Sequence, residues 1–199
     1  KSTVVTLLGA MARRAALDVR VGGNIGTPAL DLIRDQEPDL YVLELSSFQL
    51  ETVYSLQPQA AVVLNVSADH MDRYPDLQAY AAAKQSIFRQ AALQVFNIDD
   101  TVVASLVNRA RPHAGFTCGQ PGAGDYGLAT IDTATWLVRG DTRIMPTTAI
   151  RMAGQHNLSN ALAALALGEA AGIPLDRMIE TLSEFQGLPH RMQYVAEQG

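Results

Sequence analysis

The chain is predicted to be α/β, a mostly parallel sheet with helices on both faces and a small antiparallel sheet beside it. Short apolar runs at 40–43, 60–64 and 93–97 alternate with segments of helical periodicity, as buried parallel strands and their crossover helices do. Two of these runs end in dense polar chemistry, Glu44 with Ser46, Ser47 and Gln49, and then Asn65 to Pro75. A charge at the end of a buried strand is costly unless something pairs with it, and open α/β sheets bind ligands at the carboxyl ends of their strands. Beyond Gly119 the composition shifts to short runs joined by tight turns, which predicts the antiparallel part.

Val4, Leu7, Leu8, Met11 and Ala15 fall on one face of a helix over 2–16, with Arg13 and Arg14 suited to its negative end. A short strand follows at 19–21, then the permissive turn Gly22-Gly23-Asn24-Ile25-Gly26. Thr27 as N-cap and Pro28 as first residue predict a helix to about Arg34. Pro38 stops it before the strand ending at Glu44, and Pro58 precedes the strand at 60–64. A helix is expected over 77–91, a third buried strand at 93–97, and a helix capped by Asp99-Asp100 through Val107. Strands are expected at 126–129, 135–138 and 143–146, helices at 157–172 and 174–185, a loop at 187–191 and a last strand at 192–196. The reading is one domain, with 1–118 and 154–199 as the main α/β layer and 119–153 as the antiparallel subregion.

Composition narrows the function classes. A net charge of -5 over 199 residues, with no basic patch, argues against a nucleic-acid partner. No run approaches the ~18 apolar residues of a membrane span, so no membrane association is expected. One cysteine, Cys118, excludes a disulfide framework and fits a cytoplasmic protein. No heptad or other interface pattern stands out, and a monomer is expected.

Lys1-Ser2-Thr3 at a helix start matches the end of a phosphate loop, in which a Lys reaches the outer phosphates and a hydroxyl holds magnesium. Glu44 is either a carboxylate delivered to a ligand or metal, or a solvated strand end. Ser2 and Glu44 could form the hydroxyl–carboxylate pair of a nucleotide-bound Mg2+. His70, between Asp69 and Asp72, is read as a metal ligand or acid/base group, or as an exposed loop residue. Lys84 among alanines reads as a solvated helical Lys, Asn157 and Asn160 as helix caps, and Asn24 as turn chemistry.

Taken together and in order, these fragments resemble the Mur ligases, ATP-dependent amide ligases of bacterial peptidoglycan synthesis. The resemblance rests on Lys1-Ser2-Thr3, on 22–30, on Glu44 to Glu51, on Asn65 to Tyr74, on 154–161 and on 187–191. It runs from Lys1 to about Arg191 and is weakest over 102–151. It implies the P-loop-like central ATP-binding domain of that family, cut from a longer protein and inactive alone. Residue by residue, it implies that Lys1, Ser2 and Thr3 finish the ATP phosphate loop. Ser2 and Glu44 would serve one magnesium ion, and His70 a second. Lys84 would be a carbamylated lysine that gives the second ion an anionic oxygen. Asn157 and Arg191 would contact the nucleotide, while Asn24, Ser46, Gln49 and His70 would face the substrate. Lys1, His70 and Lys84 would carry the catalysis.

Ser46 to Gln49 is the segment that discriminates within the family. It implies UDP-N-acetylmuramoyl-L-alanine and D-glutamate as substrates, joined through an acyl phosphate at the expense of ATP. Two alternatives stand beside this reading: a sibling ligase acting on another amino acid or a folate, and a nucleotide-binding module without catalysis.

Overall fold

A computed structural model describes residues 1–188. The expected loop at 187–191 lies mostly outside these residues, and Arg191 and the strand expected at 192–196 lie wholly outside them. The architecture is α/β. Among the described residues eight strands run in chain order: β1 (Val19–Gly23), β2 (Leu40–Glu44), β3 (Ala60–Val63), β4 (Leu93–Asn97), β5 (His113–Phe116), β6 (Tyr126–Ile131), β7 (Ala134–Arg139) and β8 (Thr142–Pro146). The helices are α1 (Ser2–Arg14), α2 (Ser47–Leu50), α3 (Leu77–Gln85), α4 (Thr101–Leu106), α5 (Gln155–Ala170) and α6 (Leu175–Glu184).

β1 and β2 pair in parallel, with Gly23 opposite Glu44. β3 to β8 form a second sheet in sequence order. It is parallel as far as β6 and antiparallel from β6 to β8. The antiparallel strands expected as an appendage therefore continue the main sheet, joined to it at Phe116 and Tyr126. β5, which the sequence reading left out, makes that join.

Strand alternation divides the core between two faces. Along β3, Ala60 and Val62 belong to the core on the side of α1, α5 and α6, whereas Ala61 and Val63 belong to the core on the side of α3 and α4. In β4, Val95 and Phe96 split in the same way. α5 is buried along all of Ala161 to Gly168 and is apolar on every side, as a central helix must be. Buried Gln94 has both ends of its amide satisfied by Asn108, donating to the carbonyl and accepting from the N–H, at 3.0 Å each.

Two helix expectations change. The 28–34 segment forms only a 3-10 turn, Ala29–Leu32, because Pro28 sits at extended angles and the exposed Leu30 and Ile33 find no core to pack against. The 77–91 helix tightens into a 3-10 turn at Ser86–Phe88, where Ser86 Oγ donates to the Ala83 carbonyl.

The two sheets do not hydrogen-bond to each other. Between β2 and β3 lies a cavity of about 560 Å3. Its walls are apolar along both strands, with Val4, Val5 and Leu8 of α1 contributing. Polar groups gather where the two strands end.

Candidate active site

Glu44 ends β2 and is 4% exposed. The first residues of α1 face it: Ser2 Oγ donates to Oε2 at 2.9 Å, and Lys1 Nζ stands 3.5 Å from Oε1. Asn24, just past β1, donates its Nδ2 to Oε1 at 3.1 Å, and its backbone N–H donates to the Glu44 carbonyl at 2.6 Å. Gly23 makes that approach possible. Its φ is 110°, and a Cβ there would lie 2.3 Å from the Glu44 carbonyl oxygen. Burial alone would raise the Glu44 pKa, but the hydrogen bonds from Asn24 and Ser2, with the charge of Lys1, hold it below its ordinary value. The result is a buried carboxylate kept ionised at a helix N-terminus, where backbone N–H groups also favour anions.

Lys84 and His70 line the same cavity as Lys1 and Glu44. Lys84 Nζ donates to the Asn65 carbonyl at 3.4 Å and lies 4.6 Å from the Tyr80 ring centre. Burial lowers its pKa, only partly offset by Asp69 and Asp100, which brings the amine closer to its neutral, nucleophilic form. His70 has a φ of 56°, a left-handed conformation uncommon for a residue with a Cβ. Its ring is half exposed, with Nε2 3.6 Å from Asp69.

No three or more His, Cys, Asp or Glu side chains among the described residues are grouped to hold a metal ion. Magnesium bound with a nucleotide keeps waters and phosphate oxygens as ligands and needs only one or two protein groups. Glu44 with the Ser2 hydroxyl fits that demand. His70 and Lys84 as they stand offer an imidazole and a cation, so a second ion fits there only with Lys84 converted to an anion.

Other expected site residues have local partners. Ser46 and Gln49 form a reciprocal capping box on α2: the Gln49 N–H donates to Ser46 Oγ at 3.2 Å, and the Ser46 N–H donates to Gln49 Oε1 at 2.8 Å. The S-x-x-Q spacing is the signature of such a cap and was visible in the sequence. Ser46 also lines the cavity; Asn24, Gln49, Thr3 and Asn157 do not. Asn157 is buried in the first turn of α5, donating to the Ala153 carbonyl at 2.7 Å and accepting from Asn160 at 3.2 Å. The sequence reading placed Asn65 and Ser67 in the polar stretch after the 60–64 strand without giving either a role, and it missed Tyr80; all three line the cavity.

Residues 1–168 match the family model described as the Mur ligase middle domain. The chain belongs to the Mur ligase family. Among its relatives, the UDP-N-acetylmuramoylalanine--D-glutamate ligase of Nitrosococcus oceani is 56% identical over 99% of this chain. That of Acinetobacter baylyi is 49% identical over 98% of it. The chain spans 44% of the length of each of these Mur ligases. A solved Mur ligase, UDP-N-acetylmuramate-alanine ligase MurC from Thermotoga maritima, has the same fold, with a TM-score of 0.71 at 22% identity, covering all of this chain and 45% of that one. No helix among the described residues is long and apolar enough to cross a membrane.

Proposed function

We propose that this chain is the central ATP-binding domain of a cytoplasmic, ADP-forming ligase that joins D-glutamate to UDP-N-acetylmuramoyl-L-alanine in peptidoglycan synthesis. The carrying observation is the convergence of Lys1 and Ser2, at the N-terminus of α1, on the buried and ionised Glu44. The high identity to relatives named for this activity supports the choice of substrates.

In the reaction proposed, an oxygen of the L-alanyl carboxylate attacks the γ-phosphorus of ATP and ADP leaves, giving an acyl phosphate. The D-glutamate amine then attacks the acyl carbon; an amide forms, phosphate leaves and the amine gives up a proton. Magnesium, when bound, neutralises phosphate charge. The chain's own residues position and polarise. Lys1 and the first N–H groups of α1 would face the phosphates, and Ser2 and Glu44 would hold one ion. Lys84, if its neutral amine adds CO2 and loses a proton to become a carbamate, would hold a second with His70. Asn24 keeps Glu44 in place, and Ser46, which lines the cavity, would face the substrate, with Gln49 holding Ser46 through the capping box. Arg191 would contact the nucleotide, and Asn157, buried in the first turn of α5, would do so only once its amide is released from Ala153 and Asn160. Phosphoryl transfer needs mainly this positioning and charge neutralisation, without a side-chain nucleophile.

The test is phosphate release by the full-length ligase carrying this chain, given ATP, Mg2+, UDP-N-acetylmuramoyl-L-alanine and one amino acid at a time. Release that depends on D-glutamate is expected, with none from residues 1–199 alone. Equal rates with D-glutamate and L-lysine would sink the substrate assignment.

A further inference from the structure

Glu51 touches neither Glu44 nor His70, yet it is built into the connection between them. It caps the C-terminus of α2, seven residues after Glu44 on the same segment. Tyr74 Oη donates to Glu51 Oε1 at 2.5 Å, and the Arg73 guanidinium donates to Oε2. One turn earlier on α2, the Phe48 ring lies 4.9 Å from the His70 ring, stacks on Tyr74 at 6.2 Å and carries the Arg73 guanidinium 5.0 Å from its centre. Arg73 and Tyr74 close the turn that His70 opens, both donating backbone N–H groups to the His70 carbonyl, at 3.0 and 3.1 Å. α2 therefore grips this turn at two points, Phe48 on the ring at its start and Glu51 on the two residues at its end.

We infer that Glu51 is a positioning residue of the ligase, holding the 70–74 turn so that His70 stands over the cavity at a set distance from Glu44. This rests on the function proposed above. The Ser46–Gln49 capping box makes α2 a firm base for the grip. The His70 ring is half exposed, and the carboxylate nearest its Nε2, that of Asp69 at 3.6 Å, belongs to the same loop. A left-handed His70 also needs support from its surroundings to persist. The Glu51–Arg73 pair is only partly buried, and ion pairs near the surface contribute little to stability, so its consequence is chiefly geometric.

The test uses the full-length ligase. Glu51→Ala should lower kcat about ten- to a hundredfold, since small misplacements of a reacting geometry cost that much. The KM for ATP should stay unchanged, the Mg2+ concentration for half-maximal rate should rise, and the thermal midpoint should fall by no more than roughly 2–4 °C, because buried Tyr74 Oη loses its acceptor. Glu51→Gln keeps acceptors for Tyr74 and Arg73 and should restore most of kcat. In a cycle with His70→Ala, the second substitution should add little to the first, because both act through one group. A kcat for Glu51→Ala within about twofold of the parent, or losses that multiply in the cycle, would overturn the inference. So would a drop in kcat matched by a larger fall in thermal midpoint and not rescued by Gln. A parent enzyme that releases no phosphate with D-glutamate fails separately, because it refutes the ligase reading whatever Glu51 does.

Discussion

Glu44→Gln isolates charge from shape at the centre of the site. The side chain keeps its volume in a pocket where it is 4% exposed. Its carbonyl oxygen can still accept from Asn24, and its amide can donate to Ser2 Oγ, which now accepts. What disappears is the negative charge facing Lys1 and any phosphate-bound magnesium. Exchanging charge-assisted for neutral hydrogen bonds costs about 1 kcal/mol of stability. For a domain of this size that is a fall of roughly 2–4 °C in Tm. Loss of a preorganised charge at a phosphoryl-transfer site costs about 10²–10³ in rate, or roughly 2.7–4 kcal/mol. The substitution should therefore separate a large loss of activity from a small loss of stability. The assay is phosphate release by the full-length ligase across a Mg2+ titration, with thermal unfolding measured alongside. The sign with pH also follows. Because the folded pKa of Glu44 lies below its ordinary 4.5, its stabilisation is present above that value and is lost as pH falls through the folded pKa. The stability gap between parent and Gln variant should shrink on acidification below about pH 4.5. A rate within twofold of the parent at every Mg2+ concentration would refute the role given to Glu44.

Lys84→Met should abolish phosphate release without lowering Tm at neutral pH, because burial already disfavours the charged amine. A Lys with a depressed folded pKa makes the parent more stable as pH rises from that pKa toward 10.5, and urea unfolding over this range should find that rise missing in the Met variant. Gly23→Ala should lower both stability and activity, by more than about 1 kcal/mol in urea unfolding, because its Cβ meets the Glu44 carbonyl at a φ of 110°. Parent-like values of both would disprove the close approach of β1 to β2.

Much of the fold was legible because burial on both faces of a parallel strand writes an apolar run into the chain, as at 60–64 and 93–97, while the run at 40–43 forms its strand with Tyr41 left exposed. β5 carries no such run. It begins with exposed His113 and earns its place by pairing with β4 and β6. The 28–34 segment carried correct start signals for a helix, yet short helices need an apolar face to bury, and Leu30 and Ile33 face solvent. Local signals say what a segment can form, and distant partners decide whether it does.

The same division runs through the site. Lys1-Ser2 opening a helix and Glu44 closing a strand are local facts, and their chemistry marked them as partners from the sequence. The sequence by itself determined the α/β class, the resemblance to Mur ligases and the inventory of reactive groups. Only the tertiary structure decided that Asn24 donates to Glu44 and that Glu51 holds the turn of His70. These contacts join residues by direction and distance, and a hydrogen bond a few tenths of an ångström too long is no longer one. Composition and spacing carry no such measure, so the ions and phosphates the chain could meet were readable in advance, while the geometry that would hold them was not.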